Sequence, residues 1–365
     1  MQVAVHVGQL LQPVPGGIGR YVRDLVGALP GVGVEVVSFA AGPRPPGLAG
    51  PYVDLGWPRG ALRYEAWARL RRPALRAPAA VVHATSLAVP PAGDRPLVVT
   101  VHDLVFLHHP EYLTARGVSF HRRGLELARR EAAALVVPTA FGREELVAEG
   151  FEVDRVHVAH HGVVPPSPPE TVDSEGDRLA LHRLGVRPPF VLFVGTLEPR
   201  KGVVDLVAAH RLVRRRHPDL ALVLAGPPGW GAAPDLSGPG VIAVGPAHDD
   251  DLHALYRAAV ALALPSRYEG FGLPVLEAMA RGCPVVASDA ASLVEVAGGA
   301  ADLVPVGDVD ALAGALDHLA ADPDHRRIQA IAGRARSASF SWSRSADAHA
   351  GAYRAALDVR PGGAR

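Results

Sequence analysis

Arg200 and Lys201 stand side by side in "GTLEPRKGVVDL", residues 195–206, and Lys201 is the only lysine among 37 basic residues. An adjacent guanidinium and ammonium suit a phosphate or diphosphate, since Arg offers a planar bidentate fork and Lys a compact, mobile charge. A second stretch, "PSRYEGFGLPVLEAMARGCPVVAS" (265–288), carries two carboxylates eight positions apart, Glu269 and Glu277. Gly270 and Gly272 let the backbone approach a ligand closely, and Pro274 suits the first turn of a helix. Carboxylates so placed accept hydrogen bonds from sugar hydroxyls, while glycine-rich backbone N–H groups hold an anion. Each stretch also has a plainer explanation. The basic pair would be solvated, Glu269 would cap a helix and Glu277 would lie on the surface.

The elements that must position these residues follow from hydrophobic patterning. Short apolar runs recur: "VAVHVG", "VEVVSF", "AVVHA", "LVVTVHD" and "ALVVPT", then "FVLFVG", "LALVLAG", "VIAVG", "VALALP" and "PVVASD". Runs that are apolar throughout indicate strands covered on both faces, hence parallel sheets flanked by helices. Between them the spacing predicts helices over 18–29, 122–134, 202–216, 249–259 and 309–320. Alternating strands and helices define a doubly wound α/β architecture. The series is interrupted once, by a proline-rich polar stretch, so the chain reads as a domain at 1–165, a linker at 166–189 and a second domain at 190–344. A terminal helix, 345–365, is expected to join the first domain. Both chemical stretches follow a strand and precede a helix. In open α/β sheets that is where ligands bind, and a helix N-terminus attracts anions.

Bulk properties narrow the classes. The chain has 365 residues, 48% hydrophobic and 20% charged, with zero formal net charge, so no bulk electrostatic attraction to nucleic acid exists. A single cysteine, Cys283, excludes an internal disulfide and fits a reducing, cytoplasmic compartment. The opening "MQVAVHVG" reads as a strand rather than a signal peptide. No apolar run approaches the ~18 residues of a membrane span. Residues 58–78 hold six arginines among leucines and Trp67. They read as an ordinary helix whose arginines face water, with peripheral contact to an anionic membrane or lipid-linked acceptor as the functional alternative. His108 and His109 lack metal-ligand spacing and would line an acceptor cleft; no metal site is expected.

Together "EPRKG", the 265–288 stretch with its two glutamates and "GGIGRYV" (16–22) resemble family 4 glycosyltransferases. The resemblance runs from residue 16 to about residue 343, where "FSWSRSA" is similar to the family's closing segment. It implies the GT-B fold, two Rossmann-like domains facing across a cleft, and a retaining, metal-independent transfer from a nucleotide diphosphate sugar with no further cofactor. It also implies roles. Arg200 and Lys201 would neutralise the departing diphosphate, and Glu277 would hold the ribose. Glu269 with the amides of Gly270, Phe271 and Gly272 would grip the transferred sugar, with Thr196 and Leu273 completing the donor loops. The segment around Gly245 and Pro246 would read the nucleobase. In the first domain Gly17 would let the loop approach the diphosphate, and His102 would lie near the donor sugar beside Asp103. The mannosyl- and rhamnosyltransferase branch suggests a GDP-sugar over a UDP- or dTDP-sugar, and a saccharide or lipid-linked acceptor. Three departures stand out: Gly202 where the family often has asparagine, His161 in place of another asparagine, and Val294 in place of proline. Of these, Gly202 is expected to weaken the helix start slightly, and His161 puts one domain-boundary contact in question.

Three rival functions have identifiable signatures. A non-catalytic sugar-nucleotide-binding subunit would have shed part of the set His102, Arg200, Lys201, Glu269 and Glu277. A pyridoxal-phosphate phosphorylase would use Lys201 as a Schiff base, in a chain far longer than this one. A dehydrogenase would show Gly-x-Gly-x-x-Gly after its first strand, which is missing here.

Overall fold

The computed structural model describes residues 1–56, 58–72, 75, 78–165, 174–231 and 235–359. Part of the expected linker (166–173), residues 73, 74, 76 and 77 of the arginine-rich stretch, and the end of the terminal helix (360–365) lie outside the described residues. Contacts divide the chain into two units, Met1–Gly162 with Ser341–Arg365, and Val163–Phe340. The described part of the expected linker contains the helix Glu175–Arg183, which belongs to the second unit.

In the first unit, strands β1 (Gln2–His6), β2 (Glu35–Ala40), β3 (Tyr52–Asp54), β4 (Val81–Ala84), β5 (Leu97–Thr100), β6 (Ala132–Val137) and β7 (Val156–Val158) form a seven-stranded sheet in the order β3-β2-β1-β4-β5-β6-β7. Every pairing is parallel. The two faces are filled by alternate residues: Ala4, Val82, Val99 and Leu135 on one, Val3, Val5, Val81, Val98 and Val136 on the other. Trp67, Phe106 and Leu125 cover the first face. Tyr21, Leu25 and the terminal helix Trp342–Asp358 cover the second, where Ala346, Ala350 and Ala356 permit close approach. A strand buried on both faces has no polar side to alternate with, which is why the runs read as uniformly apolar.

The second unit repeats the plan. Strands β8 (Phe190–Val194), β9 (Ala221–Ala225), β10 (Val241–Gly245), β11 (Ala261–Leu264), β12 (Val285–Ser288) and β13 (Asp302–Val304) form a parallel sheet in the order β10-β9-β8-β11-β12-β13. The order of winding reverses between β8 and β11, as it does between β1 and β4. At such switch points the loops leaving adjacent strands diverge to opposite faces and open a crevice at the carboxyl ends.

Three helices depart clearly from their predicted bounds: the terminal helix begins earlier, at Trp342, the helix expected at 202–216 spans Val203–Val213, and the third differs most. The helix expected at 122–134 spans Ala115–Glu131, begins at Thr114, whose hydroxyl accepts from Gly117 N at 3.1 Å, and ends directly at β6. The run "AALVV" is drawn into the sheet, which ends the helix without an intervening loop. Cys283 is buried and its thiol is pushed up to about 12 by burial, so it packs rather than reacts.

Candidate active site

The β8/β11 switch point receives both chemical stretches. β8 delivers Gly195, Thr196 and a 3-10 turn, Pro199–Lys201, before the helix Val203–Val213. β11 delivers Pro265 to Gly272 before the helix Leu273–Ala280. Gly202 joins the two loops. Its φ is +67°, and a Cβ there would sit 2.1 Å from the carbonyl oxygen of Pro265. The expectation that Gly202 merely weakens a helix start is therefore corrected: only glycine permits this backbone and this approach. Arg267 N donates to Arg200 O at 2.8 Å and closes the junction.

The side chains converge accordingly. Lys201 Nζ lies 2.6 Å from Glu269 Oε1, and Arg200 Nη1 lies 3.2 Å from Glu269 Oε2. Ser266 Oγ donates to Glu269 Oε1 at 2.6 Å, and Arg200 Nη1 donates to Tyr268 O at 2.8 Å. Burial alone would raise the Glu269 carboxyl, but the charges of Lys201 and Arg200 and hydrogen bonds from Lys201 and Ser266 draw it down to about 2. Ser292 Oγ donates to Glu269 O at 2.6 Å, and the Ser288 hydroxyl to Ser266 O, fixing the loop from below. Glu269 therefore does not cap the following helix, whose N-cap is Gly272. Glu277 is not on the surface either: it is buried, and its Oε2 accepts from Tyr256 Oη at 2.9 Å. It lies on the helix Leu273–Ala280, which follows the loop that bears Glu269. Phe271 and Gly272 are buried while Gly270 and Leu273 are partly exposed. Gly245 ends β10, the edge strand beside β9, and Pro246 follows it.

The sequence placed Glu198 in the loop without a role. Its carboxylate Oε1 accepts from Arg200 Nε at 3.0 Å and lies 2.7 Å from Arg200 Nη2. Ser292 and Tyr256 were also missed, because partners contributed by separate segments leave no spacing signal; Ser266 was missed although it stands three residues before Glu269 in the same loop.

In the first unit His102 follows β5. Its Nε2 meets the carbonyl of Thr85 at 2.9 Å, and since a carbonyl only accepts, Nε2 carries the proton and Nδ1 is left as an acceptor. Burial lowers the His102 pKa, against the opposing pull of the Thr85 carbonyl and Asp103, so the ring is neutral near pH 7. Asp103 turns back on its own backbone, its Oδ1 accepting from Val105 N at 3.2 Å. The Tyr21 ring meets His102 edge-on, with centroids 5.0 Å apart. Tyr21 belongs to a buried chain whose proton order is set at one end. His349 Nδ1 donates to Ser345 O at 2.7 Å, so its Nε2 accepts from Tyr21 Oη at 2.8 Å. Tyr21 Oη then accepts from Thr100 Oγ1 at 2.9 Å, and Thr100 accepts from His83 Nε2 at 2.8 Å. His83 Nδ1 accepts from Tyr353 Oη at 2.9 Å. His161 is buried between Tyr21 and Trp342.

Two further expectations are corrected here, a loop position for Gly17 and a water-facing side chain for every arginine of 58–78. Gly17 lies within the first turn of the helix Gly16–Ala28, and the left-handed conformation belongs to Gly16, with φ of +61°. In the helix Gly60–Leu70, Arg63 does not face water: it is fully buried and donates to the carbonyls of Pro58, Leu55 and Gly56. Leu62 and Leu70 are exposed instead. His108 and His109 are paired with Glu145 and Glu111. Among the described residues no helix is long and apolar enough to cross a membrane.

The family model for glycosyl transferases group 1 matches residues 182–336, and that for Glycosyltransferase Family 4 matches residues 15–166. The O-antigen chain mannosyltransferase B of Escherichia coli is 31% identical over 75% of this chain and 74% of its own length. Sucrose-phosphate synthase from Thermosynechococcus elongatus superposes with a TM-score of 0.71 at 22% identity, covering 97% of this chain and 98% of its own. The Anabaena protein HepE, solved with UDP and glucose, superposes with a TM-score of 0.71 at 19% identity over 96% and 98%. Two all-parallel α/β units with such neighbours define a GT-B fold. The chain belongs to glycosyltransferase family 4 and is a glycosyltransferase.

Proposed function

We propose that this enzyme transfers a hexosyl group from a nucleotide diphosphate sugar, with GDP-mannose as first candidate, to a saccharide, lipid-linked or small-molecule acceptor, with retention of configuration and without a metal. The observation that carries the reading is the convergence of Arg200, Lys201 and Glu269 at the β8/β11 switch point. Breaking the bond between the sugar's anomeric carbon and the diphosphate oxygen develops negative charge on the leaving group. Fixed cations in a partly buried loop stabilise that charge more strongly than water does. Lys201 Nζ, with three protons and one carboxylate contact, turns to the diphosphate, while Glu269 exchanges its cation contacts for hydroxyls of the sugar. Glu277 takes the ribose, and the amides of Gly270, Phe271 and Gly272 add dipoles. The acceptor hydroxyl attacks from the face the diphosphate leaves, and its proton passes to the departing phosphate oxygen. His102 acts by orientation through its Nδ1 acceptor. The mannosyltransferase name of the E. coli relative supports mannose; the UDP bound by the Anabaena protein supports uridine as the competing base.

The test is thermal stabilisation by GDP, UDP, dTDP and ADP. The reading expects one nucleotide to raise the melting temperature well above the others, GDP first. UDP in first place would replace guanosine with uridine in the proposal, and no shift from any nucleotide would overturn the donor site.

A further inference from the structure

The cationic loop carries its own counter-charge. Two cations, Arg200 and Lys201, with side chains 16% and 13% exposed, face two carboxylates, Glu198 and Glu269, which are 3% and 7% exposed. The cluster is formally neutral, as burial requires, since unpaired cations at this depth would be costly. The two carboxylates differ in how they are held. Glu269 sits on the other loop and, in the donor-site reading, is released to sugar hydroxyls when ligand arrives. Glu198 has no such exit. Its side chain is covered and gripped by two nitrogens of Arg200. Its backbone is pinned as well: Glu198 N donates to Thr196 O at 2.9 Å, and Lys201 N to Glu198 O at 3.0 Å. Gly229 presses on it so closely that a Cβ on that glycine would come within 3.0 Å of the Glu198 Cβ.

We infer that Glu198 is the residue that limits how tightly this loop holds a nucleoside diphosphate, keeping one fixed negative charge beside the two cations so that the leaving diphosphate departs. The inference rests on the donor-site reading and adds a role that the charge pattern of the loop alone does not give. A carboxylate retained while a diphosphate binds repels it through Arg200's far side and holds that guanidinium's Nε edge away from the ligand. At the effective dielectric of a partly buried site, a neighbouring unit charge changes affinity by at least about tenfold. Glu198 is a positioning and affinity-setting residue, not one that touches the reacting atoms.

The experiment is calorimetric titration of GDP and UDP into wild type, Glu198→Gln and Glu198→Asp. Glutamine keeps the side chain's length and its acceptor for Arg200 while removing the charge; aspartate keeps the charge. Glu198→Gln is expected to bind the preferred nucleotide at least about tenfold more tightly and to release it more slowly in stopped-flow displacement, lowering kcat together with KM. Glu198→Asp is expected to stay within about twofold of wild-type affinity. Unchanged or weaker binding by a folded Glu198→Gln would overturn the inference and leave Glu198 as a structural brace for Arg200. If that variant does not fold, a large loss of affinity in Glu198→Asp overturns it equally. Failure of the wild type to bind either nucleotide would instead overturn the donor-site reading beneath it.

Discussion

Replacing Glu269 by glutamine removes the charge that joins the two loops while preserving the side chain's shape. Glu269 is ionised down to about pH 2 against an ordinary value of 4.5, although burial pulls the other way. A depression of that size corresponds to about 3 kcal/mol of preference for the folded ionised form. The variant leaves Arg200 with Glu198 but Lys201 with an amide, so the whole of that preference is lost at neutral pH. For a domain of this size the melting temperature should fall by about 6–12 °C. The pH dependence gives a second check. Because the folded pKa is lowered, the stabilisation is complete above about pH 4.5 and is lost as pH falls towards 2. The gap between wild type and variant should thus be flat from pH 7 to 5 and narrow below that. A variant within about 0.5 kcal/mol of wild type at pH 7, or a gap that widens on acidification, would refute the argument that these charges hold the loops together.

Three further outcomes follow from the geometry. Gly202→Ala must place a methyl group against Pro265 O in a left-handed backbone, so it should lose nucleotide binding and at least about 2 kcal/mol of stability in urea unfolding; retained binding would show that the loops can part without cost. Tyr21→Phe strips the proton that His349 Nε2 accepts and the oxygen that Thr100 donates to, at a fully buried site, and should cost about 1–3 kcal/mol; a neutral variant in urea unfolding would dissolve the proposed proton order. His6 and His349 are lowered by burial to about 4 from 6.5, so the stability they contribute is complete above pH 6.5 and lost as pH falls towards 4. Urea unfolding at pH 5 should show about 2 kcal/mol less stability per histidine than at pH 7, and equal midpoints at the two pH values would contradict their buried neutral state.

Much of the fold was legible because it rests on burial. Every apolar run read as a strand is one, and the strands that went unread are β3, β7 and β13, three residues each at sheet edges. An edge strand that short has one neighbour and little buried surface, so neither length nor apolarity marks it. The loops bearing Arg200, Lys201 and Glu269 were legible because each follows a buried strand and precedes a helix. What the sequence hid is pairing between segments far apart in the chain. Nothing in "EPRK" says that Glu198 faces Arg200 and that Glu269 faces Lys201 across 68 positions. Gly202 looked like a weak helix start because the Pro265 carbonyl that demands it comes from the other loop. Arg63 shows the same blindness. A basic stretch reads as a solvated face, yet this guanidinium turns inward to three backbone carbonyls left by the preceding loop.

In the proposed function the Arg200–Lys201 loop stabilises the departing diphosphate of a nucleotide sugar. The direct measurement is the rate of nucleoside diphosphate release from the nucleotide sugar whose nucleotide best stabilises the wild type, compared between wild type and Lys201→Ala. Loss of leaving-group stabilisation predicts a fall of about two orders of magnitude or more in kcat. Turnover close to wild type in a folded Lys201→Ala enzyme would contradict the account.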